Sequence, residues 1–386
     1  MQFGFTETQQ TLKNTTRQFL AAECPLSEVR KQMETDTAFD PALWKKIAEQ
    51  GWTGIVFPEE YGGFGMGMVE LAAVMEEMGR MLMPGPYLST VLLAGSALNF
   101  AGTEAQKHRY LAPICSGGAL ATLAFLEESA SWSPDAVRLQ ACSTADGFRL
   151  SGRKAFVPDA QVATFILCAA RLANELVLFV VPTGAMGVTV RPTPAVDGTR
   201  KLYEIMFDAV VLPADALLAR GKQAVEAVEH AFAVSTVGLV AEMVGGMQRL
   251  LEMTVDYANT RKQFGRPIGQ FQAVQHLCAD MLLLTESSRS AAYFAAWALG
   301  ENSPDAEAAV SVAKAYASDA YREVGNKAIQ VHGGMGFTWE NDAHLYYRRA
   351  KGSEIAFGDA NWHRERLACL VVDASGHARA ATSDQT

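Results

Sequence analysis

The feature that most constrains this chain is a change of hydrophobic period partway along it. Between about residues 118 and 213, short apolar runs such as ALATLAFLE, FRLSGRKAFV, ATFILCAAR, ELVLFVVP and GVTVRP alternate with Gly, Pro, Asp and Ser. That is the pattern of strands and turns. On either side the apolar residues recur at helical spacing. The order is helical, β, helical, so the expected fold is mainly α with a central β domain. The expected parts are a helical domain over 1–118, a β domain over 119–217, a helical bundle over 218–375 and a disordered tail over 376–386.

Local signals place the helices. Thr6 reads as the N-cap of a helix to residue 20, and Asp40-Pro41 opens another that runs to Gly51. The segment GWTGIVFPEEYGGFGMG then reads as a glycine-rich connector with Pro58, Tyr61 and Phe64 exposed. Helices are expected over 69–80, 89–100 and 104–115. After the β stretch come two long helices joined at residues 257–275, then one from 305 to about 329 and a fourth from about 342 to 373.

A net charge of −9 on 386 residues and the lack of a long basic run argue against a general nucleic-acid binder. The six cysteines show no CxxC pair, so they read as buried small residues in a reducing compartment, with no disulfide framework and no metal site. The N-terminus lacks a basic start followed by an apolar run, and no stretch approaches about 18 uninterrupted apolar residues. The cytoplasm is the expected compartment.

Two motifs carry chemistry. The first is the turn YANTRKQFGRPIGQFQAVQ, residues 257–275, where Arg261, Lys262 and Arg266 crowd beside Phe264 and Phe271. Cations suit a helix C-terminus, but a phenylalanine at the turn and the glutamines Gln263, Gln270, Gln272 and Gln275 need another reason. Guanidinium, amide donors and an aromatic face together suit a pyrophosphate joined to a flat ring. The second motif is QVHGGMGF, where Gln330 precedes Gly333, Gly334 and Gly336, glycines that let a backbone approach a phosphate. No GxGxxG follows a strand, so a Rossmann site is not expected.

The run RKQFGRPIGQFQAVQHLCADM resembles the signature of the acyl-CoA dehydrogenase family, and the resemblance extends over nearly the whole chain in order. It implies an N-terminal helical domain, a β-barrel-like middle domain and a C-terminal four-helix bundle. It also implies FAD held between β domain and helices and across a dimer. Arg261, Gln263, Phe264, Phe271, Gln330, Gly333 and Gly334 would reach a neighbour's FAD, while Phe156 and Val157 occupy the strand that meets the chain's own flavin. The implied reaction removes the α-proton of an acyl-CoA thioester and passes the β-hydride to flavin N5, with electron-transfer flavoprotein as acceptor.

Against the family pattern, Phe357 stands where the usual Glu base would be, and Ser235 at the less usual position. Asp359, Glu354 and Glu242 are the nearby carboxylates, with Asp359 ranked first and Glu242 lower. A base must come within about 3 Å of the proton it takes. The loop Leu126 to Asp135 keeps Glu127 and Ser133 of the family's flavin-facing segment, and Pro158 follows Val157 where a hydroxyl is usual. The residues for a neighbour's FAD are thus kept better than those for its own. That asymmetry resembles subunits of the bacterial α2β2 branch, so a homotetramer or an α2β2 assembly with a paralogous chain is expected. The alternatives are a non-catalytic partner that completes a paralogue's FAD site, and a flavin oxidase.

Overall fold

The computed structural model describes residues 4–373, and several of its helices begin where the sequence carries a cap. Helix α1 (Glu7–Glu23) opens on a capping box: Gln9 N–H donates to Thr6 Oγ1 at 3.2 Å and Thr6 N–H to Gln9 Oε1 at 2.9 Å. Helix α2 (Leu26–Met33) starts after Pro25 without a side-chain cap, and sequence reading missed it. In α3 (Pro41–Glu49), the Asp40 carboxylate accepts from Ala42 N–H at 2.8 Å and proline fills the first turn.

The chain divides into two compact units that do not follow chain order. Among the described residues, one holds 21–71 and 83–235, the other 4–20, 72–82 and 236–373. In the first, the glycine-rich connector leaves Phe64 exposed but buries Tyr61. The Tyr61 hydroxyl donates to Glu104 at 2.5 Å and its ring meets His108 edge-on at 5.1 Å. This corrects the expectation of an exposed Tyr61, because a phenol buries its ring where its hydroxyl reaches a partner.

Helix α4 (Met68–Arg80) precedes a buried π-helical stretch, Leu88–Gly95, which runs into α5 (Ser96–Ala101). Then come α6 (Glu104–Gln106), a second π-helical stretch (Lys107–Leu111) and α7 (Ala112–Cys115). The Thr90 hydroxyl donates to Ala121 O and accepts from Ala121 N–H, tying the first π-turn to the sheet.

The sheet comprises β1 (Ala121–Ala124), β2 (Gln140–Thr144), β3 (Gly147–Pro158), β4 (Phe165–Leu172), β5 (Glu175–Pro182), β6 (Val188–Thr193), β7 (Leu202–Pro213) and β8 (Leu217–Arg220). Its order is β6-β7-β3-β2-β4-β5-β8, with β1 parallel on β4, which makes a central mixed sheet. The apolar runs became β1, β3, β4, β5 and β6. Strands β2, β7 and β8 were missed, although β7 alternates buried and exposed residues over much of its length. Leu150, Val157, Ile166, Phe179, Ile205 and Phe207 lie in its core.

The second unit is built on long helices. Helix α8 (Lys222–Thr260) leads to a two-residue hairpin of β9 (Lys262–Gln263) and β10 (Arg266–Pro267). Helices α9 (Gln272–Gly300), α10 (Ala306–His332), α11 (Ala343–Ile355) and α12 (Ala360–Ala368) follow, with α10 packed on α9, α11 and α12. The expected fourth helix is therefore two helices, broken at Phe357 (φ +58°) and Gly358 (φ +97°). Helix α4 reaches α8 backbone to backbone. A Cβ on Gly245 would lie 1.7 Å from Glu76 O, and one on Gly79 would lie 1.9 Å from Glu242 O.

Helix α1 joins this unit through charge. The Glu76 carboxylate on α4 accepts from Lys13 at 2.5 Å, Tyr293 at 2.6 Å and Arg289 at 3.2 Å. Helix α8 is long and apolar enough by length and composition to cross a bilayer, but 78% of its most apolar window is buried within the protein, as in a core helix. The cysteines are all free. Cys24, Cys115 and Cys168 are buried, whereas Cys142 and Cys369 are exposed, which corrects the expectation that all six are buried. The tail expected over 376–386 lies outside the described residues.

Candidate active site

The break between α11 and α12 is held from below by two buried side chains. Lys314, fully buried on α10, donates to Ser318 Oγ at 3.0 Å, to Glu354 O at 3.0 Å and to Gly358 O at 2.8 Å. His363, buried on α12, lies 3.0 Å from Phe357 O through Nε2. A carbonyl only accepts, so Nε2 carries the proton. Burial pulls the Lys314 ammonium down to about 7, opposed by the charges of Asp359 and Glu354. Burial and the nearby Lys314 pull His363 to about 3. Sequence reading missed both residues, and the only available signal was a lysine inside the small-residue run AAVSVAKAYASDA.

The carboxylates named from sequence differ in freedom. Glu242 is buried on α8 and accepts from Arg349 Nη1 at 3.0 Å, while Arg349 Nη2 lies 3.3 Å from Leu82 O. A carboxylate so engaged anchors α8 to α11 and is not free to move. Glu354 pairs with Arg322 and Lys351. Asp359 is exposed, and its Oδ1 accepts from Trp362 N–H at 2.8 Å as the N-cap of α12. Phe357 is 6% exposed.

The hairpin after α8 pairs Gln263 with Arg266 and Lys262 with Pro267. Its turn residues, Phe264 (φ +53°) and Gly265 (φ +77°), both adopt the left-handed conformation that a two-residue hairpin demands. That costs a phenylalanine about 1–2 kcal/mol, yet Phe264 is 93% exposed. Phe264 therefore combines a strained backbone with a ring held in solvent. Phe271 meets Phe264 edge-on at 6.1 Å and lies under Arg266 at 4.2 Å. Gln263 is exposed and its Nε2 donates to Lys262 O at 2.8 Å, and Arg261 is exposed and makes no ion pair among the described residues.

The glycine motif ends α10. Gly333 adopts φ +60° and ψ −143°, a region open essentially to glycine. A Cβ added to Gly333 or Gly334 would meet nothing within 4 Å, so an open backbone face lies there, with exposed Gln330 in the preceding turn. Gly336 instead packs on Ile329 and His332. The His332 ring stacks on Tyr257 at 4.5 Å, and its Nδ1 sits 2.8 Å from Ala328 O. It is a satisfied residue, held below its usual pKa by burial. This stacking brings the end of α8 beside the glycines, and both rings line a groove of about 380 Å³.

In the sheet-bearing unit the flavin-strand candidates diverge. Phe156 is 42% exposed at a β-bulge with φ +54°. Val157 faces the sheet core, so its side chain is withdrawn and only its backbone remains for contact. Pro158 O accepts from Thr122 at 2.7 Å. Glu127 is structural: it accepts from Leu139 N–H, Arg138 N–H and the buried Lys154. Burial alone would raise its pKa, but Lys154 and the amides hold it below the usual carboxylate range. Ser133 caps a short turn at Asp135 N–H. Ser235 is buried, and its hydroxyl has no hydrogen-bond partner among the described residues. Phe232, one turn earlier on α8, meets Phe125 and Trp132 edge-on.

A helical stretch, a mixed sheet and a helical bundle in that order, with an exposed guanidinium-aromatic turn and an open glycine face, match the parts expected of a flavin-dependent acyl-thioester oxidoreductase. The chain belongs to the acyl-CoA dehydrogenase family, FAD-dependent enzymes acting on CH–CH bonds. Models of the family's N-terminal, middle and C-terminal domains match residues 6–118, 123–210 and 225–371. The chain is 31% identical over 374 residues to the probable acyl-CoA dehydrogenase YngJ of Bacillus subtilis, covering 94% of this chain and 98% of that one. It is similar to a chain in the solved structure of the electron transferring flavoprotein of Acidaminococcus fermentans. There the identity is 30%, the TM-score 0.90, and the match covers 96% of this chain and 99% of the other. A chain of the ChsE4-ChsE5 complex from Mycobacterium tuberculosis is 29% identical with a TM-score of 0.88, over 96% of this chain and 99% of that one.

The residues fit FAD unevenly. The open Gly333–Gly334 face and the exposed Arg261–Phe264 turn suit a pyrophosphate and a flat ring. Val157 and Pro158 offer the flavin no hydroxyl, and proline has no N–H.

Proposed function

We propose that this chain works as one subunit of an acyl-CoA dehydrogenase assembly, with Asp359 the residue that takes the α-proton. FAD, when bound, would supply the acceptor for the hydride that leaves the β-carbon. The electron pair of the broken α C–H bond becomes the new double bond, and the proton goes to the carboxylate. Asp359 is the exposed carboxylate on the turn where this family carries its base. Arg261, Gln263, Phe264, Phe271, Gln330, Gly333 and Gly334 hold the FAD of a neighbouring subunit, and the Phe156–Val157 backbone borders the chain's own. The observation that carries this reading is the Tyr257–His332 stack, which joins the end of the helix leading to the exposed Arg261–Phe264 turn to the end of the helix leading to the open Gly333–Gly334 face.

The likeness to a chain in the electron transferring flavoprotein structure supports that protein class as electron acceptor. The likeness to a chain of the ChsE4-ChsE5 complex supports assembly with an unlike chain, as in an α2β2 tetramer. The cytoplasm suits such a metabolic enzyme. A second reading, that the chain only completes a paralogue's site, is favoured by the buried Phe357 at the base position and by the ion-paired Glu242.

The visible spectrum of the purified chain, recorded before and after acyl-CoA thioesters are added, tests both. Bound flavin that bleaches, and no longer bleaches in Asp359→Asn, supports the first reading. A chain that gains flavin only with its paralogue, and bleaching that survives Asp359→Asn, supports the second.

A further inference from the structure

The break between α11 and α12 is more than a helix end. Two consecutive residues, Phe357 and Gly358, are left-handed, and a Cβ on Gly358 would lie 2.5 Å from the Trp362 ring. For phenylalanine that conformation is strained, so the surroundings must impose it. The groups that do so are visible. The carbonyls of Glu354 and Gly358 are both held by the single ammonium of Lys314, and the carbonyl between them, that of Phe357, is held by His363. On the far side, Trp362 N–H holds the Asp359 side chain and His363 N–H donates to Asp359 O at 3.1 Å.

We infer that Lys314 and His363 are positioning residues: by holding the carbonyls of residues 354, 357 and 358 they fix the peptide planes that aim the side chains of Phe357 and Asp359. The clamp deepens the reading in which this turn carries the base, and rests on it for its catalytic meaning alone. Its geometry is a property of the chain itself. A lysine spent on helix stability would bind carbonyls of one helix end. This one bridges the last turn of α11 and the peptide that starts α12, which sets the angle at which the intervening residues emerge. Ser318 Oγ lies 3.0 Å from the Lys314 nitrogen on its remaining side, so that nitrogen cannot swing away from the turn without losing a partner.

The experiment is amide hydrogen exchange on the assembled protein, read by mass spectrometry over residues 354–360 and over the rest of α10 to α12. Wild type is compared with Lys314→Met, His363→Leu and His363→Gln. Because Lys314→Met can lower folding yield, the histidine pair carries the test independently. We expect His363→Leu to speed exchange at the turn at least tenfold while α10 stays protected. His363→Gln, which keeps a donor, should restore most of the protection. Exchange that is unchanged at the turn, or that rises equally throughout α10 to α12, overturns the inference. In flavin-loaded enzyme Lys314→Met and His363→Leu should lower kcat for acyl-CoA oxidation with KM within about threefold, and His363→Gln should recover most of the loss. If wild type shows no turnover, the proposed base fails while the exchange result still decides the clamp.

Discussion

The Arg349 guanidinium and the Glu242 carboxylate meet at 3.0 Å with side chains only 3% and 8% exposed. The pair joins α8 to α11 at a point where Gly79 of α4 touches the Glu242 backbone. Removing one partner of a buried pair leaves the other charge stranded, at a cost of about 3–5 kcal/mol. Arg349→Met should therefore lower the unfolding free energy by about that much, whereas Arg349→Met with Glu242→Met should recover most of it. Denaturant titration of the two variants checks this, and equal losses in both would contradict it. A Glu242→Gln protein that still folds should keep its acyl-CoA-dependent flavin bleaching.

The Gly333 and Gly334 positions separate fold from cofactor. Gly333→Ala forces a side chain into a conformation costing about 1–3 kcal/mol, so it should destabilise the chain. Gly334 has open space where a methyl would go, so Gly334→Ala should leave the melting temperature within about 1 °C. If this face holds FAD across a subunit boundary, Gly334→Ala still lowers the flavin-to-protein absorbance ratio severalfold. An unchanged ratio removes Gly334 from the cofactor site.

Phe264 makes the opposite trade. Phe264→Gly relieves a left-handed strain of about 1 kcal/mol at a residue that is 93% exposed. The isolated chain should melt slightly higher, and the assembly should lose flavin or dissociate on a sizing column. A variant that melts lower and keeps its flavin would show that Phe264 serves the chain's own packing.

Lys314 sets a pH dependence. Its folded-state value of about 7 lies below the ordinary 10.5 because of burial, despite the opposing charges of Asp359 and Glu354. Between those two values the unfolded chain binds the proton and the folded chain has released it, so this group makes stability rise with pH. Below about 7 its penalty is constant. Calorimetry of wild type against Lys314→Met should show the variant's melting temperature rising less between pH 7 and 10. Parallel curves would mean that the lysine stays charged in the fold.

Glu76 acts with the other sign. Burial alone would raise its carboxyl, but Lys13 and Arg289 pull it below the ordinary 4.5. Its contribution is complete above about pH 4.5 and is lost as pH falls through the lower folded value. Glu76→Gln should be destabilised by about 3 kcal/mol at neutral pH, and its gap to wild type should close below about pH 4. A gap that stays constant down to pH 3 would exclude the ion pairs as its source.

The helical, β, helical order was legible because hydrophobic period is a local property, written in neighbouring residues. So were the caps at Thr6 and Asp40, the turn at Arg261 and the glycines after α10, each of which needs a residue type at a fixed offset. Helix α2 left no cap to read, and β7 was masked by charges on its outer face. The division of the fourth bundle helix was not legible either. Residues 342–373 read as one helical stretch, whereas the chain breaks at left-handed Phe357 and Gly358, whose carbonyls accept from His363 and from Lys314, 44 residues upstream of Gly358. The fates of Glu242 and Tyr61 were decided in the same way. Alone in sequence, each is a polar group on an apolar segment, and only a partner from another helix determines whether it is free to react or bound in place. The sequence determined which elements form and which residue types could meet a flavin. The tertiary structure decided which carboxylates are spent on cations and which backbone carbonyls are clamped, because those pairings join residues distant in the chain.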